Sequence, residues 1–421
     1  MYFVVDGLQM KRGIEMITKN AAYIPCTLLV CLGLIFLGPF HAFAQSPPVL
    51  PDIDISQSDT GVVDMPDHVD DVFKAFAKYT KIYAPNGKPI HIVVYSGISD
   101  EQIVYARKVL VNHLTNVAGS LYGSDKTSIA NALADNDAIM AFYINRASME
   151  TDAVRKFERS GVKSQAQHTP PPIMEGTALY MKNDPRRDAT YEEVLHFVQD
   201  YGTNDASPEL SEKLWSAYRD ALAKGLYTRE DTETNEYFIC GLEAYFDIFK
   251  HDPGGDGTRE QEYMPITREG MKEVDPTMYE IIEEFFGTTW LYTAEIADEF
   301  EGTFLMTRGE NLDYTNKSLH LRKAMLTGRK DTNLIGNDAD NNLFGNSGDN
   351  VITPMAGSDV VDGGPGSDTA VFPGDRKDYV VRKQDGRVIV EGINFMRDGY
   401  NILINIEKLQ FNDREINVGD V

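Results

Sequence analysis

The chain has 421 residues, enough for two or three domains, and its 42% hydrophobic content supplies material for a buried core. Asp and Glu number 65 against 40 Lys and Arg, which gives a net charge of −25 and a pI near 4.7. That balance argues against nucleic acid as a partner, because phosphate contacts need clustered Lys and Arg. It fits a soluble chain exposed to the extracellular medium.

The N-terminus carries an export pattern. Lys11, Arg12 and Lys19 precede the apolar run 24–40, and no charged side chain other than His41 occurs between Asn20 and Pro51. Ala42-Phe43-Ala44 has the small-any-small form of a cleavage site, so residues 1–44 are expected to be a signal peptide removed near Ala44. Met10 or Met16 is an alternative start. An uncleaved anchor is the other reading, but the run is short for a span and contains Gly33, Gly38 and Pro39. A secreted monomer without a stable membrane span is therefore expected. Cys26 and Cys31 lie inside the export segment, so the mature chain keeps Cys240 and forms no internal disulfide. Such a secreted chain needs another brace, and calcium can supply one.

Residues 45–66 are rich in Pro, Ser and Asp and read as a linker. Residues 67–305 read as an α+β domain, a small sheet plus helices. The pattern predicts a helix over 67–79, a strand over 90–95, helices over 100–117 and 126–134, and a strand over 138–144. A polar, Pro-rich loop over 161–174 and a short strand over 176–181 follow, then a helix from about Asp188. Further helices are expected over 208–223, 234–250 and 276–286. A second linker, 306–326, leads to a C-terminal domain over 327–421.

The helix opening near Asp188 carries the candidate catalytic chemistry. Glu192, Glu193 and His196 stand at i, i+1 and i+4, and residues four apart share a helix face. Glu192 and His196 can then hold one metal ion, with Glu193 beside it. Two blander readings compete. Thr190 and Glu193 fit a capping box, which would occupy Glu193 with backbone N–H groups unless Asp188 is the cap. Alternatively, Ala189, Glu192, Glu193, His196, Gln199 and Asp200 are simply the solvated face of an amphipathic helix.

This segment resembles the zinc-peptidase helix HExxH with Glu192 in place of the first His. Glu193 matches the general base and His196 the second ligand. The third ligand of gluzincins is a Glu on a later helix, and Glu236 in Thr234-Asn235-Glu236-Tyr237-Phe238 resembles it. Residues 88–290 are patchily similar to lethal-factor-like metallopeptidases, which implies a zincin-like fold, a bound Zn2+ and a peptide or protein substrate. The resemblance also points to Tyr227 as the group that stabilises the oxyanion. Two carboxylates with one His leave a divalent site neutral, so bound water is polarised less than in the usual set, and manganese, iron or calcium become more acceptable. Cys240, one turn from Glu236, reads first as a small buried hydrophobe.

The C-terminal fifth has a nine-residue step. Leu334, Leu343, Ile352, Val361 and Ala370 recur in register, each preceded by Thr332, Asn341, Asn350, Asp359 or Asp368 two positions earlier. Glycines fill the turns, and the last copy is Gly363-Gly364-Pro365-Gly366-Ser367-Asp368. Turn carbonyls and Asp oxygens suit a hard cation such as calcium. Residues 326–421 resemble the hemolysin-type (RTX) calcium repeat proteins, which implies a parallel β-roll in which turns eighteen residues apart face each other. The resemblance pairs Asn341 with Asp359 and Asn350 with Asp368 and implies one or two weakly held Ca2+ ions near Gly363, Gly364 and Gly366. Pro354-Met355 departs from the repeat. The expected whole is a secreted calcium-binding protein with a metal-dependent peptidase domain. The rival is a non-catalytic adhesion or surface protein with a degenerate zincin domain.

Overall fold

An apolar run in Pro89–Val94 and alternating residues in Lys78–Tyr83 build the first sheet of the computed structural model. The structure describes residues 46–168, 170–182, 188–230, 234–248, 262–312, 314–394 and 399–421. The expected signal peptide lies outside the described residues. The sheet runs β1 (Val63–Asp64), β2 (Lys78–Tyr83), β3 (Pro89–Val94), β4 (Ile139–Phe142), β5 (Ser164–Gln167) in sequential order. β1 to β3 pair antiparallel and β3 to β5 parallel, so β5 is an edge.

Period-two alternation gives this sheet two buried faces. Ile90, Ile92, Val94, Met140 and Phe142 face the main helical core. Val93, Ile139, Ala141 and Tyr143 face a smaller cluster with Phe73, Phe76 and Phe157. Helix α1 (Asp100–Leu114) starts at a reciprocal Ser99–Gln102 capping box. α2 (Thr127–Asp135) and the short α3 (Arg146–Met149) and α4 (Asp152–Glu158) complete the connections between strands. The chain then turns helical: α5 (Thr190–Val198), a π-helical stretch Gln199–Thr203, α6 (Asn204–Ala206), α7 (Pro208–Lys224), α8 (Asn235–Phe246), α9 (Arg268–Val274) and α10 (Pro276–Phe286). α7 has Pro at its start and left-handed Gly225 at its end, the usual punctuation of a helix.

The C-terminal part is a roll of two facing sheets. One contains β6 (Ala294–Ile296), β8 (Lys323–Leu326), β10 (Asn342–Phe344) and β12 (Val360–Asp362). The other contains β7 (Thr303–Leu305), β9 (Asn333–Ile335), β11 (Val351–Thr353) and β13 (Thr369–Val371). Parallel pairs such as Leu343↔Val361 and Ile352↔Ala370 place residues eighteen apart side by side. Leu334, Leu343, Ile352, Val361 and Ala370 are all fully buried between the sheets. The first sheet is extended by the hairpin β14 (Tyr379–Gln384) and β15 (Arg387–Gly392) and by β16 (Tyr400–Ile404). The hairpin's Asp385 and Gly386 both have positive φ, as a tight primed turn requires. β17 (Lys408–Gln410) and β18 (Glu415–Asn417) extend the other sheet.

Several expected elements differ. The helix read over 67–79 is a short 3₁₀ turn at Phe73–Ala75 leading into β2, because pairing with β3 across six positions overrides local helical spacing. The loop over 161–174 contains β5. The strand over 176–181 is a turn: Gly176 has φ +80°, and a Cβ there would lie 2.7 Å from Ile296 Cγ2. Ile173 and Tyr180 of this segment pack into the roll's core. The stretch 306–326, read as a linker, carries a one-turn helix and β8 of the roll, and the roll's sheets begin upstream at β6. The linker 45–66 buries Leu50 and Ile53 and contributes β1.

Candidate metal centres

Asp188 fixes the start of α5. Its carboxylate accepts hydrogen bonds from the Thr190 N–H at 3.1 Å, the Thr190 hydroxyl at 2.6 Å and the Ile173 N–H at 3.2 Å. The Tyr105 hydroxyl donates to its other oxygen. The Thr190–Glu193 capping box does not form: Thr190 is the first helical residue, its hydroxyl donates to Asp188, and the Glu193 N–H bonds to the Ala189 carbonyl at 2.9 Å. Glu193 instead accepts a hydrogen bond of 2.7 Å from the Gln165 amide on edge strand β5.

The solvated-face reading fails on burial: Glu192 is 8% exposed, His196 4% and Gln199 1%. Carboxylates are rarely buried unless paired, hydrogen-bonded or coordinating. α8 brings Glu236 to this face, so that Glu192, His196 and Glu236 each offer a ligand atom within 4.8 Å of the others. Ligands on a tetrahedral zinc lie about 3.4 Å apart at bond lengths of about 2.1 Å, so the atoms need to draw together by at most about 1.4 Å. The Nε2 of His196 is buried without a hydrogen-bond partner. Its Nδ1 lies 3.6 Å from Glu193 Oε2. Burial opposes a charge on His196, but the adjacent carboxylates of Glu193, Glu192 and Glu236 outweigh it and raise its pKa above the usual value.

Three neighbours were not singled out as part of this site from sequence. Gln199, one turn beyond His196, donates at 2.8 Å to Thr234 just ahead of α8 and ties the end of α5 to the start of α8. Arg229 Nη1 lies 3.4 Å from Glu236 Oε1. Gln165 holds Glu193 from the sheet side. Gln199 shares the i, i+4, i+7 row with Glu192 and His196, which was a readable signal; Gln165 and Arg229 gave none. Tyr227 is 1% exposed and packs against the rings of Tyr218 and Tyr237 at 5.8 and 5.3 Å, within the aromatic core. Cys240 is buried, as its helical setting suggested.

The roll's turns form the second centre. Asp359 and Asp368 are buried, and each receives a backbone N–H on Oδ1, from Asn341 and Asn350 at 2.8 Å across eighteen residues. The Oδ2 of each is buried without a hydrogen-bond partner. Burial is the leading cause that lifts Asp359 to about 8 and Asp368 to about 6. A carboxylate oxygen shut away from water among carbonyls is a donor group for a hard cation. Gly363, Gly364 and Gly366 bring their backbones against the neighbouring turns: a Cβ on Gly364 would meet the Asn346 carbonyl at 2.6 Å. Asn341 and Asn350, expected as ligands, use their side-chain oxygens to accept the N–H groups of Asn337 and Asn346 at 2.9 and 2.8 Å.

Residues 335–370 match the RTX calcium-binding nonapeptide repeat in four copies. The chain therefore carries RTX calcium-binding repeats, and the strand-rich roll is the form they take here. No curated protein sequence matches the chain. Among solved structures, the extracellular lipase LipA from Serratia marcescens is similar at 10% identity and a TM-score of 0.20, over 79% of this chain and 54% of the lipase. The chain thus spans about half the length of that structure. No described helix is long and apolar enough to cross a membrane.

Proposed function

We propose that the protein is a secreted, calcium-braced metallopeptidase, in which Glu192, His196 and Glu236 hold a divalent metal and Glu193 is the general base. The observation that carries this reading is the meeting of the three ligand atoms within 4.8 Å of one another, at a His196 whose Nε2 is buried without a hydrogen-bond partner. A bound metal would supply an acidified water and a Lewis acid. Glu193 would take the water's proton on Oε2, which Gln165 orients at 2.7 Å. An extended peptide would add to the edge of β5, beside that carboxylate. Carriage of RTX repeats fits the export pattern of residues 1–44.

The test is metal content and proteolysis of the purified chain. After calcium chelation, one zinc, manganese or iron per chain is expected, and it should be lost in His196→Ala. Glu193→Gln should keep the metal and lower casein hydrolysis by about 10²–10⁴-fold. Wild type with no bound transition metal, or a Glu193→Gln variant that cleaves at the wild-type rate, would sink the proposal.

One observation favours the non-catalytic rival. The Arg229 guanidinium at 3.4 Å from Glu236 already supplies positive charge to the carboxylates, as a metal would. Under that reading Arg229→Ala destabilises the fold. Under the peptidase reading the same variant raises metal affinity.

A further inference from the structure

Every space between facing turns of the roll is not equivalent. Between the turns 327–332 and 345–350, the side-chain amide of Asn346 donates to the Thr327 carbonyl at 2.9 Å, the Lys330 carbonyl at 3.0 Å and the Thr332 hydroxyl at 3.3 Å. Those are oxygens of the kind a cation between turns would gather. Asn350 adds its own amide to the Thr332 carbonyl at 2.7 Å. On the opposite edge of the roll, Asn337 donates in the same way to the carbonyls of Leu321 at 2.8 Å and Leu319 at 3.3 Å. Asn337 and Asn346 are 6% and 7% exposed. Each amide NH₂ offers two donors to inward-facing carbonyls, so these spaces are closed with neutral side chains.

Eighteen residues on, the same positions are held by Met355 and Gly364, and neither has a side-chain N–H. Eighteen residues on from the capped oxygens lie the Gly345 and Gly348 carbonyls with the Asn350 side chain, and the Asn337 and Ala339 carbonyls. A Cβ on Gly364 would lie 3.5 Å from the Gly345 carbonyl oxygen, and one on Gly357 2.7 Å from that of Ala339. Asp368 and Asp359 reach across these two spaces with Oδ1, to the N–H groups of Asn350 and Asn341, and each keeps a buried Oδ2 without a hydrogen-bond partner.

We infer that calcium occupies two turn spaces of this roll, at Asp359 and at Asp368, and that Asn337 and Asn346 take its place in the two preceding spaces. The strands next to the helical part, β6 to β11, then fold without calcium. Calcium acts on the distal part, from β12 onward. This rests on the calcium-repeat assignment but not on the peptidase proposal.

The experiment is calcium titration of the full mature chain after EGTA treatment, read by calorimetry and by thermal melting. Two calcium ions per chain are expected, with one lost in each of Asp359→Asn and Asp368→Asn. In EGTA the two classes of variant should shift the melt in opposite directions. Asn346→Gly and Asn337→Gly should lower it by several degrees, because buried carbonyls lose their donors. Asp368→Asn should raise it, because a buried acid without a counterion becomes neutral. Asn346→Gly combined with Thr332→Asp should bind a third calcium ion. Three or four ions in the wild type, or Asn→Gly variants that melt with the wild type in EGTA, would overturn the inference. No calcium at all would overturn the repeat assignment beneath it.

Discussion

The roll and the α5–α8 pair both gather oxygen-rich ligands, yet they do so on different length scales. In the roll, Asp359 and Asn341 meet across eighteen residues, and the same step then joins Asp368 to Asn350. Each coil repeats the geometry of the last, so one set of turn residues serves every copy. At the helical centre, Glu192 and Glu236 come from two helices whose connection includes α6 and α7. Nothing repeats there, and the meeting depends on single links such as Gln199 to Thr234. A repetitive site tolerates change by degrees, whereas a site assembled once depends on each part.

Truncating the stacked core tests how far the roll's neighbours depend on one another. Ile352→Ala, at a fully buried position in β11, should cost about 2–5 kcal/mol by chemical denaturation. A smaller loss would mean the coils melt separately rather than together.

A second test concerns the buried acid Glu175, in the segment whose Ile173 and Tyr180 pack into the roll's core. Burial, with the charges of Asp188 and Glu295 adding to it, lifts its pKa from 4.5 to about 8, so the folded protein holds a proton that the unfolded chain releases. The stability this contributes is complete below about pH 4.5 and is lost as pH rises through about 8. Glu175→Gln should therefore match the wild type at pH 4.5 and exceed it at pH 8 by on the order of 3 kcal/mol. Urea melts at the two pH values measure the difference, and an equal gap at both would show that packing rather than ionisation is at work.

The smallest effect sharpens the contrast. Gln199→Ala removes the link between α5 and the start of α8 without touching a ligand. A 10- to 100-fold fall in transition-metal affinity, with calcium stoichiometry unchanged, is the expected result of loosening such a support. Equal affinity would show that packing of the two helices alone sets the ligand positions.

Much of the architecture was readable along the chain. The short apolar runs marked β3 and β4, and Pro276 and Gly287 bracket α10, as helix punctuation predicts. The nine-residue step specified the roll's buried stack residue by residue, because each apolar side chain has one inward direction. β2 was missed since its partner β3, not its own spacing, makes it a strand. Residues 176–181 were misread since close contact with Ile296 demands a turn there.

The sequence alone determined the repeat, its inward residues and the identity of three ligand candidates, because these follow from local spacing. Only the tertiary structure decided that Glu192 and His196 are buried rather than solvated, that Glu193 answers to Gln165 rather than to a helix cap, and that Asn337 and Asn346 close turns which Met355 and Gly364 leave open. Burial and hydrogen-bond partners are set by what packs from elsewhere in the chain, and no local pattern of residues carries that information.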